Sequence, residues 1–128
     1  MQYPMIPLYN TTGAPVAYAD EACRGIYDGQ GSLVAWFEGE FLYTAAGRYL
    51  GWAEQGWVYD RHGRPALFAE NAIGGPARPP ISPRATTLPA RISWAALPRP
   101  LPRRQPRPAR RRRTAEWSPV SALTYFGQ

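Results

Sequence analysis

The sequence predicts an all-β protein in which four tandem β-hairpin repeats form a pseudo-fourfold symmetric ring, followed by a tail rich in proline and arginine. Three observations lead to this fold class: a motif that occurs four times, alternation of side-chain size within each copy, and an abrupt change of composition near residue 76. We assign residues 4–76 to the hairpin module and residues 77–128 to a largely disordered basic tail with aromatic islands.

The motif consists of four positions that recur at spacings of 18, 16 and 16 residues. A tyrosine is followed four residues later by a glycine, and this glycine is followed five residues later by an aromatic residue and seven residues later by a carboxylate. The tyrosines are Tyr9, Tyr27, Tyr43 and Tyr59, the glycines Gly13, Gly31, Gly47 and Gly63, the aromatic residues Tyr18, Trp36, Trp52 and Phe68, and the carboxylates Asp20, Glu38, Glu54 and Glu70. Self-similarity at a nearly fixed period is the signature of a repeat fold.

Each glycine predicts the turn of one hairpin. The residue after the tyrosine is Asn10, Asp28, Thr44 or Asp60, whose side chain can accept hydrogen bonds from the turn backbone. The glycine then supplies the left-handed conformation that ends a type I turn with a bulge. Each copy is therefore predicted to be a hairpin of two short strands.

The residues after each glycine alternate between a large and a small side chain, which indicates a strand with two different faces. In the third copy, for example, Trp52 and Glu54 alternate with Gly51 and Ala53. We expect the small residues to face the crowded axis of the ring and the aromatic residues to fill the gaps between hairpins. One hairpin alone is marginally stable in water, and a closed ring leaves no strand edge unpaired.

The repeated hairpins, followed by "FAENAIGGPARP" at residues 68–79, resemble the four-fold β-flower family of bacterial proteins. The fourth copy and the exit "ENAIGGP" carry most of the resemblance, which covers about the first 79 residues. It implies a shallow, flower-like arrangement of hairpins that continues after GGP into a basic tail. It implies no established activity and no catalytic residue.

The charge of the chain is divided unevenly, with a net −4 over residues 1–75 and a net +10 over residues 76–128. Eleven prolines in the second part argue against long helices there. Two aromatic islands interrupt the tail, "RISWAAL" around Trp94 and "EWSPVSALTYF" from Glu116 to Phe126. We expect these islands either to fold back on the module or to dock on a partner.

A run of arginines in the tail predicts contact with an anionic partner: Arg103, Arg104, Arg107, Arg110, Arg111, Arg112 and Arg113. Arginine binds phosphate through its planar fork, and six such contacts to DNA would give a slope of about −5 in log K against log salt. The alternative partner is an anionic membrane surface, which the same run would meet together with Trp117, Tyr125 and Phe126. Both readings describe a non-enzymatic binding or assembly protein.

The sequence predicts no catalytic, cofactor-binding or metal-binding residue, and no small-molecule substrate is inferred. His62 lies in the fourth turn, where a histidine is typically solvated, and the single Cys23 lies in another hairpin. A toxin-like effector or enzyme is therefore disfavoured. The four carboxylates of the motif form a candidate acidic ring that would attract a cation or pair with tail arginines; the alternative is charges at strand ends that face solvent.

The remaining expectations concern location and assembly. A single cysteine requires no oxidising compartment, and the chain shows neither a secretory signal nor an apolar span of about 20 residues, which predicts a cytoplasmic protein. A folded core of about 70 residues is small, so self-association into a homo-oligomer would add stability.

Overall fold

A computed structural model describes residues 5–20, 24–77, 79–80, 106, 112–114, 116–118 and 125–126. This part of the chain contains eight strands: β1 Met5–Tyr9, β2 Pro15–Asp20, β3 Gly25–Tyr27, β4 Leu33–Glu38, β5 Phe41–Thr44, β6 Tyr49–Glu54, β7 Trp57–Asp60 and β8 Pro65–Phe68. Consecutive strands pair antiparallel, and β8 returns to β1 through the pair Tyr9 and Phe68, so the sheet closes into a barrel. The predicted all-β ring of four hairpins is confirmed.

The four long turns, which connect β1 to β2, β3 to β4, β5 to β6 and β7 to β8, share one design. In the fourth turn, Asp60 Oδ1 accepts hydrogen bonds from the backbone N–H groups of His62 and Arg64, each at 2.9 Å. Equivalent side-chain acceptors serve the other three turns. The glycines close the turns with positive φ angles of 78°, 87°, 93° and 85° at Gly13, Gly31, Gly47 and Gly63. The turn prediction is confirmed, since only glycine adopts this conformation without a steric cost.

A single apolar cluster draws residues from all eight strands and therefore fills the barrel interior. Its barrel members are small or aliphatic: Leu8, Ala17, Ala19, Ile26, Ala35, Leu42, Leu50, Val58, Ala66, Leu67 and Ala69. An eight-stranded barrel leaves an interior just wide enough for side chains of this size. The expectation that the small residues face the axis is confirmed.

The aromatic residues pack on the outer face, where they join each repeat to the next. The register pairs are Tyr18 with Tyr27, Trp36 with Tyr43, Trp52 with Tyr59, and Phe68 with Tyr9. The second and third pairs are stacked, with ring centroids 4.9 Å and 5.5 Å apart, and the fourth pair closes the ring at 5.5 Å. Such pairs contribute about 0.5–1.5 kcal/mol each beyond their buried area. The aromatic residue of each copy thus pairs with the tyrosine of the next copy around the ring, which explains why both positions recur.

The end of the barrel opposite the four long turns carries the short connections between repeats and the exit "ENAIGGP". Gln55 and Gly56 form a two-residue turn with φ angles of 52° and 86°, as in a type I′ hairpin. The chain leaving β8 folds back onto this turn, because the N–H of Ala69 donates to the carbonyl of Gly56 and that of Ile73 to the carbonyl of Gln55. Gly75 then lies against the indole of Trp57 with no room for a Cβ atom.

Candidate functional site

A segment of the tail is bound along the start of β8. The N–H of Thr114 donates to the carbonyl of Gly63 at 2.9 Å, and the N–H of Ser118 donates to the carbonyl of Pro65 at 2.8 Å. Both acceptors lie in the fourth repeat, one in its long turn and the other at the start of β8. We call residues 112–114 and 116–118 the docked segment.

Trp117 anchors the docked segment to the outer aromatic face. Its ring meets Trp57 edge-on at 5.5 Å and Phe68 edge-on at 6.1 Å. Edge-to-face geometry is favourable because the positive edge of one ring meets the negative face of the other. The aromatic island from Glu116 to Phe126 therefore does fold back on the module, at least through its described residues.

Among the described tail residues, Tyr125 is the most deeply buried, with a side chain that is 0 % exposed within the interior cluster. Its hydroxyl lies 3.2 Å from the carbonyl oxygens of both Leu50 and Tyr59, to which it donates its single proton. Burial, followed by the charge of Asp60, raises the pKa of the Tyr125 phenol well above its ordinary value. The neighbouring Phe126 is also buried and completes the contact.

Arg113 connects the tail to the acidic end of the barrel, which is the end where the motif carboxylates lie. Its guanidinium lies 2.6 Å from Glu54 Oε2 and 5.9 Å from the centre of the Tyr59 ring. Both charged side chains are partly exposed, so the pair contributes at most about 1 kcal/mol after solvent screening. One of the four motif carboxylates, Glu54, therefore pairs with an arginine of the tail.

Next to this pair, an open cleft of about 400 Å³ separates the docked segment from the barrel exit. Its walls include Arg112, Arg113 and Thr114 on the tail side and residues 74–76 on the exit side. Arg112 is exposed. The cleft therefore presents the Arg112 side chain to solvent. In the sequence, Arg112 directly follows the other arginines of the run.

The four motif carboxylates are spread around one end of the barrel. The described residues contain no group of three His, Cys, Asp or Glu side chains that could hold a metal ion. The physical reason is spacing, because the carboxylates lie at the ends of every second strand and so are about 10 Å apart around the barrel. Ligands of one Ca²⁺ must all lie about 2.4 Å from the ion. Glu38 and Glu70 are exposed, as the alternative of charges at strand ends requires, while Asp20 is buried and Glu54 holds Arg113.

The other sequence candidates are distributed as follows. His62 is exposed in its turn. Cys23, Trp94 and the arginines at 103, 104, 107, 110 and 111 lie outside the described residues. Within the described part of the chain, there is no helix with the length and apolar character that a membrane crossing needs.

One feature at this end of the barrel was not predicted from the sequence: an apolar cavity of about 450 Å³ in the mouth of the barrel. It is lined by interior residues such as Ile6, Phe37 and Val58. The sequence signal for it is the position before each motif carboxylate, since Ala19, Phe37, Ala53 and Ala69 all line this cavity.

The chain matches a known protein family. The family model described as "4-fold beta flower protein" matches residues 6–126. The chain therefore belongs to this family, and the match extends through the tail, well past the 79 residues on which the resemblance was based. No curated protein and no solved structure matches the chain.

Proposed function

We propose that this member of the 4-fold beta flower family is a non-enzymatic binding protein whose barrel holds an arginine-rich tail for contact with nucleic acid. The observation that carries the proposal is the bound position of the docked segment. Backbone hydrogen bonds at Thr114 and Ser118, together with the Trp117 ring contacts, fix the chain directly after the arginine run. The run is thereby tethered next to a folded surface, which lowers the entropic cost of presenting it.

The charge distribution supports an external anionic partner. The tail carries a net +10 against a net −4 for residues 1–75, so even complete internal pairing leaves the chain at +6. Arg113 is engaged by Glu54. Apart from Arg113, the run contains six arginines that we assign to phosphate contacts, namely Arg103, Arg104, Arg107, Arg110, Arg111 and Arg112. Their expected salt slope is about −5 on duplex DNA.

The use of the tail aromatics favours nucleic acid over a membrane surface. Docking on lipid would need Trp117, Tyr125 and Phe126 at the interface beside the arginines. Tyr125 and Phe126 are instead 0 % and 7 % exposed in the barrel core, and Trp117 packs on Trp57. Within the described residues, the tail thus leaves arginine without an aromatic anchor for a partner, which suits phosphate better than acyl chains.

The test is fluorescence anisotropy of a labelled DNA duplex titrated with the full chain across a salt series. Replacing the five arginines at 103, 104, 107, 110 and 111 by alanine should reduce the slope from about −5 to about −1. The matched control replaces the exposed barrel arginines Arg48 and Arg61 by alanine and should leave the slope unchanged. Equal binding by both variants would refute the proposal, and so would binding to anionic vesicles without binding to DNA.

A further inference from the structure

The cleft between the docked segment and the barrel exit has two walls, and both are fixed to the barrel. On the tail side, the N–H of Thr114 donates to the carbonyl of Gly63 at 2.9 Å. On the exit side, the N–H of Ile73 donates to the carbonyl of Gln55 at 3.0 Å, and residues 74–76 then line the cleft. The cleft of about 400 Å³ is therefore formed before a ligand arrives, which lowers the entropic cost of binding.

The charged side chains that line this cleft are cationic. Of the described residues in its walls, Arg112 and Arg113 carry a charge, and no carboxylate accompanies them. Arg113 is held by Glu54, which contacts its Nη1 atom. Arg112 is exposed and, within the described part of the chain, has no ion-pair partner. Because arginine presents its N–H donors in a planar fork that matches the oxygens of a phosphate, the walls favour an anion of this kind.

The exit wall adds backbone donors to these cations. Gly74 and Gly75 are exposed, and neither N–H group donates a hydrogen bond to another described residue. Gly74 has a φ angle of 75°, a left-handed conformation that glycine adopts without steric cost. Successive N–H groups in turns that contain a left-handed residue form concave sites for anions.

From these observations we infer that the cleft is a phosphate site, in which the guanidinium of Arg112 and the N–H groups of Gly74 and Gly75 bind one phosphate group. Arg112 directly follows the other arginines of the run, so the phosphate belongs to the backbone of the nucleic acid that this run contacts. This assignment of the ligand rests on the function proposed above. The cleft then gives one phosphate a fixed position on the folded barrel.

The experiment follows the backbone amide resonances of Gly74 and Gly75 in the full chain by NMR while inorganic phosphate is added at constant ionic strength. Both resonances should shift along a saturable curve, and acetate should shift them much less. Arg112→Ala should weaken phosphate binding about tenfold, because a hydrogen bond to a charged group is lost. The matched control is Arg48→Ala, which removes an exposed arginine of the barrel and should leave the binding curve unchanged.

A DNA duplex then tests whether the phosphate comes from nucleic acid. The same two glycine resonances should shift when DNA is added, and Arg112→Ala should make the salt slope of DNA binding about 0.9 less steep. In the variant that lacks the five arginines at 103, 104, 107, 110 and 111, the remaining slope of about −1 should fall to about zero when Arg112 is replaced as well.

The failure of this inference can be told apart from the failure of the proposed function. Glycine resonances that do not respond to phosphate, or that respond equally to acetate or in Arg112→Ala, would overturn the phosphate site even if the arginine run binds DNA. DNA binding that leaves both resonances in place would overturn it as well. A saturable response to phosphate without any binding of DNA would keep the phosphate site and refute the proposed function, and its ligand would then be a small phosphorylated molecule.

Discussion

Replacing Tyr125 tests whether the tail is an integral part of the barrel core. The ring is fully buried in the interior cluster, 66 and 75 residues in sequence from the two carbonyls that accept its hydroxyl proton. Truncation of a buried aromatic side chain to alanine typically costs about 3–5 kcal/mol through lost burial and the cavity left behind. Tyr125→Phe keeps the ring and should lose about 1 kcal/mol, since the two carbonyls share a single donated proton.

The assay is urea unfolding of the full chain, followed by near-ultraviolet circular dichroism. The exposed tail variant Arg112→Ala is the matched control and should change the free energy of unfolding by less than about 0.5 kcal/mol. Ending the chain at Gly75 removes Tyr125, Trp117 and Arg113 together and should destabilise the barrel by more than Tyr125→Ala alone. The reasoning fails if Tyr125→Ala behaves like Arg112→Ala, or if the shortened chain keeps the melting temperature of the full one.

Alkaline pH gives the same variants a second readout. Because burial raises the pKa of Tyr125 in the folded state, its contribution is fully present below the ordinary tyrosine pKa of about 10 and is lost as pH rises toward the folded-state value. The unfolded chain binds fewer protons in that window, so the free energy of unfolding falls by up to about 1.4 kcal/mol per pH unit. Tyr125→Phe should fall less steeply above pH ~10. Parallel curves for the two proteins would show that the phenol is not buried as described.

Two further predictions concern the exit segment and the ion pair between Arg113 and Glu54. Gly75→Ala should lower the free energy of unfolding by about 1–3 kcal/mol, because the added methyl group overpacks against the buried indole of Trp57. The control is Gly29→Ala, whose added Cβ would have its nearest neighbour at 4.0 Å. In the same urea assay this control should be neutral or slightly stabilising. Glu54→Gln should release Arg113 and make the salt slope of DNA binding steeper by about 0.9. The free energy of unfolding should fall by less than about 1 kcal/mol. An unchanged slope would mean that Arg113 does not reach phosphate.

The repeat made the fold predictable because each motif position has a local cause. A turn acceptor such as Asp60, a glycine with positive φ and an alternating strand determine a hairpin without reference to the rest of the chain. The position of the tail was not predictable in this way. Tyr125 reaches carbonyls far away in sequence, and nothing in its own neighbourhood distinguishes burial in a core from docking on a partner. The apolar mouth was missed for a similar reason, since a cavity depends on the radius of the closed barrel.

A fourfold ring offers four nearly equivalent places for one tail, and the sequence breaks the symmetry where the tail binds. The position four residues after the motif glycine is Ala17 and Ala35 in the first two copies but Gly51 in the third. The carbonyl oxygen of Tyr59 lies where a Cβ atom on residue 51 would be, so only glycine fits there. The same oxygen accepts a hydrogen bond from the Tyr125 hydroxyl.

The other tail contacts fall at the same junction of the third and fourth repeats. Arg113 binds Glu54 at the end of β6, Thr114 binds Gly63 in the following turn, and Trp117 packs on Trp57 at the start of β7. These contacts depend on residues that differ among the copies, above all Gly51 and Trp57. The positions equivalent to Trp57 are Gly25 in the second copy and Phe41 in the third. The shared positions of the motif thus build the barrel, and its departures from the repeat decide where the tail is held.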